Sequence, residues 1–462
     1  MSALKASLSF SDGDTLQLLL TLSVLLVAAH AMGFLFVKLR QPRVAGEIIA
    51  GLALGPTLLG FLRPDLTHQL IAGNSSTTAV LGAIYQLGQL LLMYCAGAAL
   101  QSHRRRGEGR STALIALIGN VVPFGAGAAF LLVLDPSGLI GTANNRTSLL
   151  IVFACGIAVT SIPVISRILA DLGLMKTTFA RTVLTVALID DVILYVLLSI
   201  AVGLVATDSS DGFALPSLLS LHPGSPLSDA YYVIASIAIF GVPLVFGRSL
   251  VERMGAMRFN FLGRSNALAF QVVFMMAMTS LALFIGISPI FGAFVSGILA
   301  GTLTGSQEGK STVSIDAARA QTSIQSFSFA FFIPIYFAIV GLKLDLIRDF
   351  NIPFFALFLL YACGVKALSI YAGARLAGEK RDSALNLAMA LNARGGPAIV
   401  MASVALDARI ISEAFYVDLV LLALVTSMMA GAWLDRVIRR GTFFTELHSS
   451  ERGSSDVERV SA

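Results

Sequence analysis

Asp190 and Asp191 stand side by side inside the apolar run Leu184-Thr-Val-Ala-Leu-Ile-Asp-Asp-Val-Ile-Leu-Tyr-Val-Leu-Leu198. A charge at the centre of a bilayer costs about 3 kcal/mol on insertion scales, so such residues face a wet cavity and find a partner. The pair reads as a place where small cations and protons are held. A second buried charge, Lys366, lies near the middle of Leu359-Leu-Tyr-Ala-Cys-Gly-Val-Lys-Ala-Leu-Ser-Ile-Tyr371. An ammonium at that depth needs a counter-charge. The carboxylates at similar depth are Asp190 and Asp191, so an ion pair between Lys366 and one of them is predicted. The alternative is a helix register that brings Lys366 to an interface.

Two further segments carry helix-breaking residues within apolar runs. One reads Phe153-Ala-Cys-Gly-Ile-Ala-Val-Thr-Ser-Ile-Pro-Val164, with Gly156, Thr160, Ser161 and Pro163 at its centre. The other reads Leu391-Asn-Ala-Arg-Gly-Gly-Pro-Ala-Ile-Val400. Proline removes a backbone donor and glycine weakens the helical ladder, so carbonyls and amides are freed there. At membrane depth, freed backbone is tolerated only where it is buried in protein or lines water. A kink in each helix is the plain reading of either break alone. Two breaks, with the carboxylate pair one span after the first, favour an ion site of the kind that secondary transporters build from paired broken helices.

These residues must be positioned by membrane helices. Charged residues make up 13% and hydrophobic residues 56% of the 462 positions, against about 25% charged in soluble domains. Mean hydropathy is +0.83. Thirteen apolar stretches of crossing length are predicted near 16–38, 44–62, 78–100, 112–133, 147–169, 178–205, 230–249, 265–286, 288–304, 325–346, 352–376, 384–405 and 414–434. The two breaks lie seven spans apart, so they traverse the membrane in opposite directions. The first stretch is too long for a removable signal peptide and follows acids rather than bases.

The net charge of +5 does not point to nucleic acid, because the bases sit in loops. Loops after odd-numbered spans carry them, among them Lys38, Arg40 and Arg43, His103 to Arg106, and Lys380 with Arg381, while loops after even spans are poor in bases. The positive-inside rule then puts the N-terminus outside and the C-terminus in the cytoplasm. The sequons at Asn74 and Asn145 fall on outer loops. Cys95, Cys155 and Cys363 fall within spans at spacings that suit neither zinc nor a disulfide framework. Residues 441–462 are polar, rich in Ser and Glu, and expected to be a disordered tail.

Taken in order along the chain, several pieces resemble monovalent cation:proton antiporters, the CPA2 group of the sodium/hydrogen exchanger family. They are Gln41-Pro-Arg-Val-Ala-Gly-Glu-Ile-Ile-Ala-Gly-Leu-Ala-Leu-Gly-Pro-Thr-Leu-Leu-Gly60, Thr160-Ser-Ile-Pro-Val-Ile-Ser-Arg-Ile-Leu-Ala-Asp-Leu-Gly173 and the acid pair, then Gly292-Ala-Phe-Val-Ser-Gly297 and Phe332-Ile-Pro-Ile-Tyr-Phe-Ala-Ile-Val-Gly-Leu-Lys-Leu-Asp-Leu346. The resemblance implies an all-α polytopic membrane protein of about thirteen helices, built as inverted repeats with two crossed discontinuous helices. It implies an outer segment 1–15 and a transporter domain 16–440. Within that domain a core bundle covers about 112–205 and 352–434, a dimerisation bundle about 16–100 and 265–346, and a linker helix about 230–249. It further implies a homodimer.

By the same resemblance Asp191 carries the monovalent cation and the proton, Asp190 partners Lys366, and Thr160, with Ser161 beside it, lies at the unwound crossing as an ion ligand. Asp-Asp members are typically electrogenic. Two departures stand out: Gly97-Ala-Ala-Leu100 where relatives often carry an acid, and Arg394-Gly-Gly-Pro where relatives often place Glu soon after Arg-Gly. Both bear on pH regulation and ion preference.

The chemistry also follows from the residue types. A carboxylate holds either a proton or a sodium ion, and hydroxyl and carbonyl oxygens suit a hard monovalent ion. Asn392, Arg394, Gly395, Gly396 and Pro163 are read as support for the crossing, with Arg394 and Arg167 capping carbonyls or docking to carboxylates. Glu47 and Arg167 are candidates for a cytoplasmic funnel. Lys343 and Asp345 are read as interface markers. No enzyme activity and no cofactor are expected; the partners are a monovalent cation, Na+ or K+, protons, the lipid bilayer of a plasma or cell inner membrane, and a second copy of the chain. The competing functions are a sodium-coupled symporter of an organic solute, and a channel or transport-dead sensor.

Overall fold

The computed structural model describes residues 11–39, 41–67, 75–102, 110–133, 136–174, 177–205, 214–219, 225–256, 265–305 and 312–440. The tail 441–462, residues 1–10, Asn74 and the base cluster His103 to Arg106 lie outside the described residues. The first helices in chain order are α1 (Asp12–Lys38), α2 (Arg43–Leu54), two single turns α3 (Leu59–Leu62) and α4 (Pro64–Thr67), α5 (Ser75–Ser102) and α6 (Arg110–Val133). Then come α7 (Arg146–Ala158), α8 (Ile162–Asp171), α9 (Thr178–Gly203), a turn α10 (Leu215–Leu218), α11 (Pro226–Ala256), α12 (Ala267–Phe284) and α13 (Pro289–Gly305). The last are α14 (Thr312–Phe327), α15 (Ile333–Leu342), α16 (Ile352–Leu376), α17 (Arg381–Ala390), α18 (Gly396–Asp407) and α19 (Glu413–Arg439). Among the described residues, ten helices are long and apolar enough to cross a membrane, and α7, α13 and α18 are shorter apolar helices. The chain is an all-α polytopic membrane protein.

Short polar residues start many of these helices by accepting the orphan amide three residues on. Asn145 receives Ser148 N, Thr177 receives Ala180 N, Asn351 receives Phe354 N and Ser412 receives Phe415 N. Asn145 of the second sequon is thus a cap, and its amide nitrogen also donates to Leu204 O at 3.3 Å. Between α12 and α13 the chain turns at Gly286, whose φ is 83°. Ile287 N then closes back onto Ala282 O at 2.8 Å, the glycine-ended helix terminus that a side chain would strain. The tenth stretch begins earlier than residue 325: α14 runs into α15 through a π turn at Ser328–Phe332. Pro334 follows in the first turn of α15, and a residue without an N–H favours such widened turns in its neighbourhood.

Packing gathers the helices into two neighbourhoods. α2 lies against α1 and α15, α5 against α13 and α15, and α12 and α14 against α13. In the other, α6 lies against α7 and α16, α9 against α7, α8 and α18, and α19 against α17 and α18. α11 touches both, through α9 and α13. Leu, Val and Phe side chains such as Phe34, Leu132, Leu360 and Leu376 stay exposed on the outside, as a lipid-facing surface requires.

The α5–α13 contact is a backbone-on-backbone approach. A methyl on Gly97 would run into Phe294 O, and one on Gly297 would run into Tyr94 O. Glycines at such crossings let helices approach closely in lipid. Gly297→Ala should cost about 1–3 kcal/mol or more by overpacking, read as a lower melting temperature of the detergent-solubilised protein. An unchanged melting temperature would mean that the two helices part without cost.

Candidate ion-binding site

The two broken helices meet at their gaps. α7 ends at Ala158, α8 begins at Ile162, and residues 159–161 between them are not helical. α17 ends at Ala390, α18 begins at Gly396, and 391–395 form the second gap. Ser161 N donates to Ala393 O at 2.9 Å, and Thr160 Oγ1 donates to Leu391 O at 2.6 Å. Each gap therefore satisfies part of the backbone that the other frees. Gly395 faces Ser161 and Val164 so closely that a Cβ there would collide with both side chains. Glycine at this position is what lets the gaps touch.

Arg394 fastens the crossing. It is 1% exposed, and its guanidinium meets no carboxylate among its hydrogen-bond partners. Nε donates to Gly156 O at 3.0 Å, and Nη2 donates to Ile157 O at 2.7 Å and to Ala362 O at 3.1 Å. Nη1 donates to Asn392 Oδ1 at 2.8 Å. Asn392 in turn donates to Cys363 O on α16 at 3.0 Å. The backbone carbonyl of Arg394 takes the Ser427 hydroxyl of α19, and the Arg394 N–H donates to Thr426 Oγ1 at 3.3 Å. The planar fork suits this work because its donors point in fixed directions.

The twin acids turn to different surroundings. Neighbours along a helix are about 100° apart, so α9 aims them apart. Asp190 Oδ2 receives Lys366 Nζ at 2.9 Å, both side chains being fully enclosed. Lys366 also donates to Gly119 O at 2.9 Å and to Ala158 O. Asp190 Oδ1 receives Asn120 Nδ2 at 2.5 Å. Asn120 was not foreseen, although a lone carboxamide inside the fourth apolar stretch was a visible signal. Asp191 is 3% exposed and contacts the Ile162 N–H at the start of α8. Among the described residues its Oδ1 has no hydrogen-bond partner, and neither do Ser161 Oγ and Tyr195 Oη. Tyr195 sits one turn after Asp191 on α9, so it belongs to the same face; it too was missed.

Of the remaining sequence candidates, Gly396 opens α18 beside Gly395, and Pro163 and Arg167 belong to α8. The side chains of Pro163 and Arg167 lie outside the described residues. Glu47 is 3% exposed and receives Arg43 Nε at 2.9 Å. Arg43 stands one turn before it on α2, and Gly33 of α1 lies against both side chains.

Buried polar atoms almost always have partners. Among the described residues a carboxylate oxygen and two hydroxyls are left without them near two unwound backbones, and oxygen atoms of this kind suit a small cation or a proton. Among the described residues, the buried charges at this crossing are Asp190, Asp191, Lys366 and Arg394, which sum to zero when all are ionised. Adding either a proton or a monovalent cation gives the same net charge, and adding both would leave two uncompensated charges in a dry interior. The site can therefore hold one or the other.

A family model for the transmembrane domain of sodium/hydrogen exchangers matches residues 22–440. The chain is 28% identical over 435 residues to the Na(+)/H(+) antiporter NhaS4 of Synechocystis, covering 92% of this chain and 98% of that protein. It is 28% identical to Cation/H(+) antiporter 18 of Arabidopsis thaliana, where it spans 89% of itself but only 48% of the longer plant protein. In fold it is similar to the sodium proton antiporter MjNhaP1 of Methanocaldococcus jannaschii, with a TM-score of 0.58 at 14% identity, covering 91% of this chain and 97% of that one. With the model spanning nearly all of the helical domain, the chain belongs to the sodium/hydrogen exchanger family, a family of integral membrane transporters rather than enzymes.

Proposed function

We propose that this protein exchanges a monovalent cation, Na+ or K+, for protons by alternating access, with Asp191 as the carrier of both. The observation that carries the reading is the orphaned Asp191 Oδ1 beside the partnerless hydroxyls of Ser161 and Tyr195 at the crossing of two broken helices. The names of similar proteins support it: Na(+)/H(+) antiporter in Synechocystis and K(+)/H(+) antiporter 1 in Saccharomyces cerevisiae. Thr160 and freed carbonyls supply neutral oxygens once the cation replaces the proton. Asp190 is held by Lys366 and Asn120, so it shapes the field at Asp191 rather than taking the ion first. Cation binding draws Asp190 away from Lys366, which then gives up a proton; a second proton per cation makes the exchange electrogenic. The helices from α6 to α9 and from α16 to α19 form the moving core, the α1, α2, α5 and α12 to α15 set forms the scaffold that pairs in a homodimer, and α11 links them. The N-terminus faces outside and the C-terminus the cytoplasm of a plasma or cell inner membrane.

The test is flux in proteoliposomes carrying a pH dye and a preset proton gradient. Successive additions of Na+, K+ and Li+ should each collapse the gradient to a degree that reports the ion's affinity. Gradient collapse that needs an organic solute, or cation passage without proton movement, would replace exchange by symport or by a channel.

A further inference from the structure

One ion pair spans the seam between the two packing neighbourhoods, at the end of the bundle where α15 and α18 finish. Lys343 Nζ, just past α15, lies 3.0 Å from Asp407 Oδ1 at the end of α18. The same ammonium sits 4.2 Å from the centroid of the Tyr85 ring on α5. Tyr85 Oη donates to Asp407 Oδ2 at 3.4 Å. Lys343 is thus more than the interface marker its sequence position suggested. Its side chain is 32% exposed and that of Asp407 46%, so water and ions reach the pair.

Polar groups continue inward from it. The Tyr85 ring stacks on Tyr336, centroids 5.2 Å apart, and Tyr336 Oη donates to Ser403 Oγ at 3.5 Å, one turn before Asp407 on α18. Tyr336 also meets Gln89 of α5 by hydrogen bond, and Tyr195 lies within electrostatic range of Tyr336. Tyr195 leads to Asp191. Ser403, Tyr336 and Tyr195 are fully enclosed. Polar side chains are thus spaced along the seam from a solvent-accessible ion pair toward the orphaned carboxylate, without a continuous hydrogen-bonded chain between them among the described residues.

A carboxylate with an aromatic face beside it is a cation site by composition, since the ring's negative face and the charge act together. In this chain a tethered ammonium occupies it. A half-exposed pair of this kind is weak and yields to competing ions. We propose that Asp407 and the Tyr85 ring form a second monovalent-cation site at the mouth of the route to Asp191. Lys343 closes this site as a built-in counter-cation, and the transported ion displaces Lys343 as it passes. This rests on the exchange function proposed above.

The experiment measures, in proteoliposomes, the Na+ and K+ concentrations that give half-maximal exchange. Lys343→Gln removes the competitor and should lower them about two- to five-fold, and Asp407→Asn should raise them by a similar factor, the range an exposed ion pair can shift. Maximal rates should stay near wild type, which also certifies folding, and Lys343→Arg should behave as wild type. If Asp407→Asn does not fold, Tyr85→Leu strips the ring without touching a charge and should raise the values too. Half-maximal concentrations unchanged in Lys343→Gln and in Asp407→Asn or its substitute overturn the proposal. The two readings separate cleanly. Silent mouth variants together with an inactive Asp191→Asn reject only the mouth site, whereas an active Asp191→Asn rejects the carrier assignment whatever the mouth variants do.

Discussion

Asp191→Asn should reduce cation-driven proton movement to the level of protein-free liposomes while the protein stays monodisperse and as heat-stable as wild type. Asparagine is nearly isosteric, and its side-chain oxygen can still accept from the Ile162 N–H that Asp191 contacts. What it removes is the group that can trade a proton for a cation. The crossing then keeps one surplus positive charge from Lys366 and Arg394 against Asp190, the charge of the proton-loaded site, permanently. Stability should hold or rise, because an enclosed carboxylate beside another is replaced by a neutral amide. Exchange at a wild-type rate in this variant would remove Asp191 from the mechanism.

Arg394→Leu should have the opposite profile, losing the fold together with the function. The guanidinium satisfies the carbonyls of Gly156, Ile157 and Ala362 and the side-chain oxygen of Asn392. Leucine would leave the Gly156 and Ile157 carbonyls, at the broken end of α7, and the Asn392 side-chain oxygen without this donor, while Ala362 O, inside α16, keeps its helical partner. Each such acceptor costs about 1–3 kcal/mol, and their sum competes with a total stability of about 5–15 kcal/mol. The expected observation is aggregation on size-exclusion chromatography. Arg394→Lys should rescue a monodisperse protein with a lowered melting temperature, since one ammonium has three donors against the five of the fork. A monodisperse Arg394→Leu with wild-type flux would mean that other donors or water serve these carbonyls. Against Asp191→Asn, the pair of results separates a residue that does the chemistry from one that holds its frame.

The membrane setting and the order of the helices were legible because a span needs only length and apolarity, both local properties. The breaks were legible for a similar reason. Gly395 and Gly396 with Pro397, and Thr160, Ser161 and Pro163, interrupt apolar runs where the backbone ladder cannot continue. The structure refined this by placing the second gap at 391–395, so that Gly395 closes the gap while Gly396 and Pro397 form the first turn of α18. Asn120 and Tyr195 went unread since a lone polar residue in a span has no local feature that says which neighbour it will meet. Lys343 reads from the sequence only as an interface marker for the same reason: its partners Asp407 and Tyr85 are distant in sequence and come from different helices.

By itself the sequence determined that the chain is a polytopic helical membrane protein, that two of its helices are interrupted, and that two acids and one ammonium are trapped at similar depth. Those conclusions rest on the cost of placing charge and unpaired backbone in hydrocarbon, which every residue pays regardless of fold. The residue types left open which acid takes Lys366, a pairing that only the resemblance assigned to Asp190; the tertiary structure joins those two and decided that Arg394 binds carbonyls instead of a carboxylate. Those outcomes depend on how each helix is rotated about its axis and on which distant segments close around it, and no local pattern encodes either.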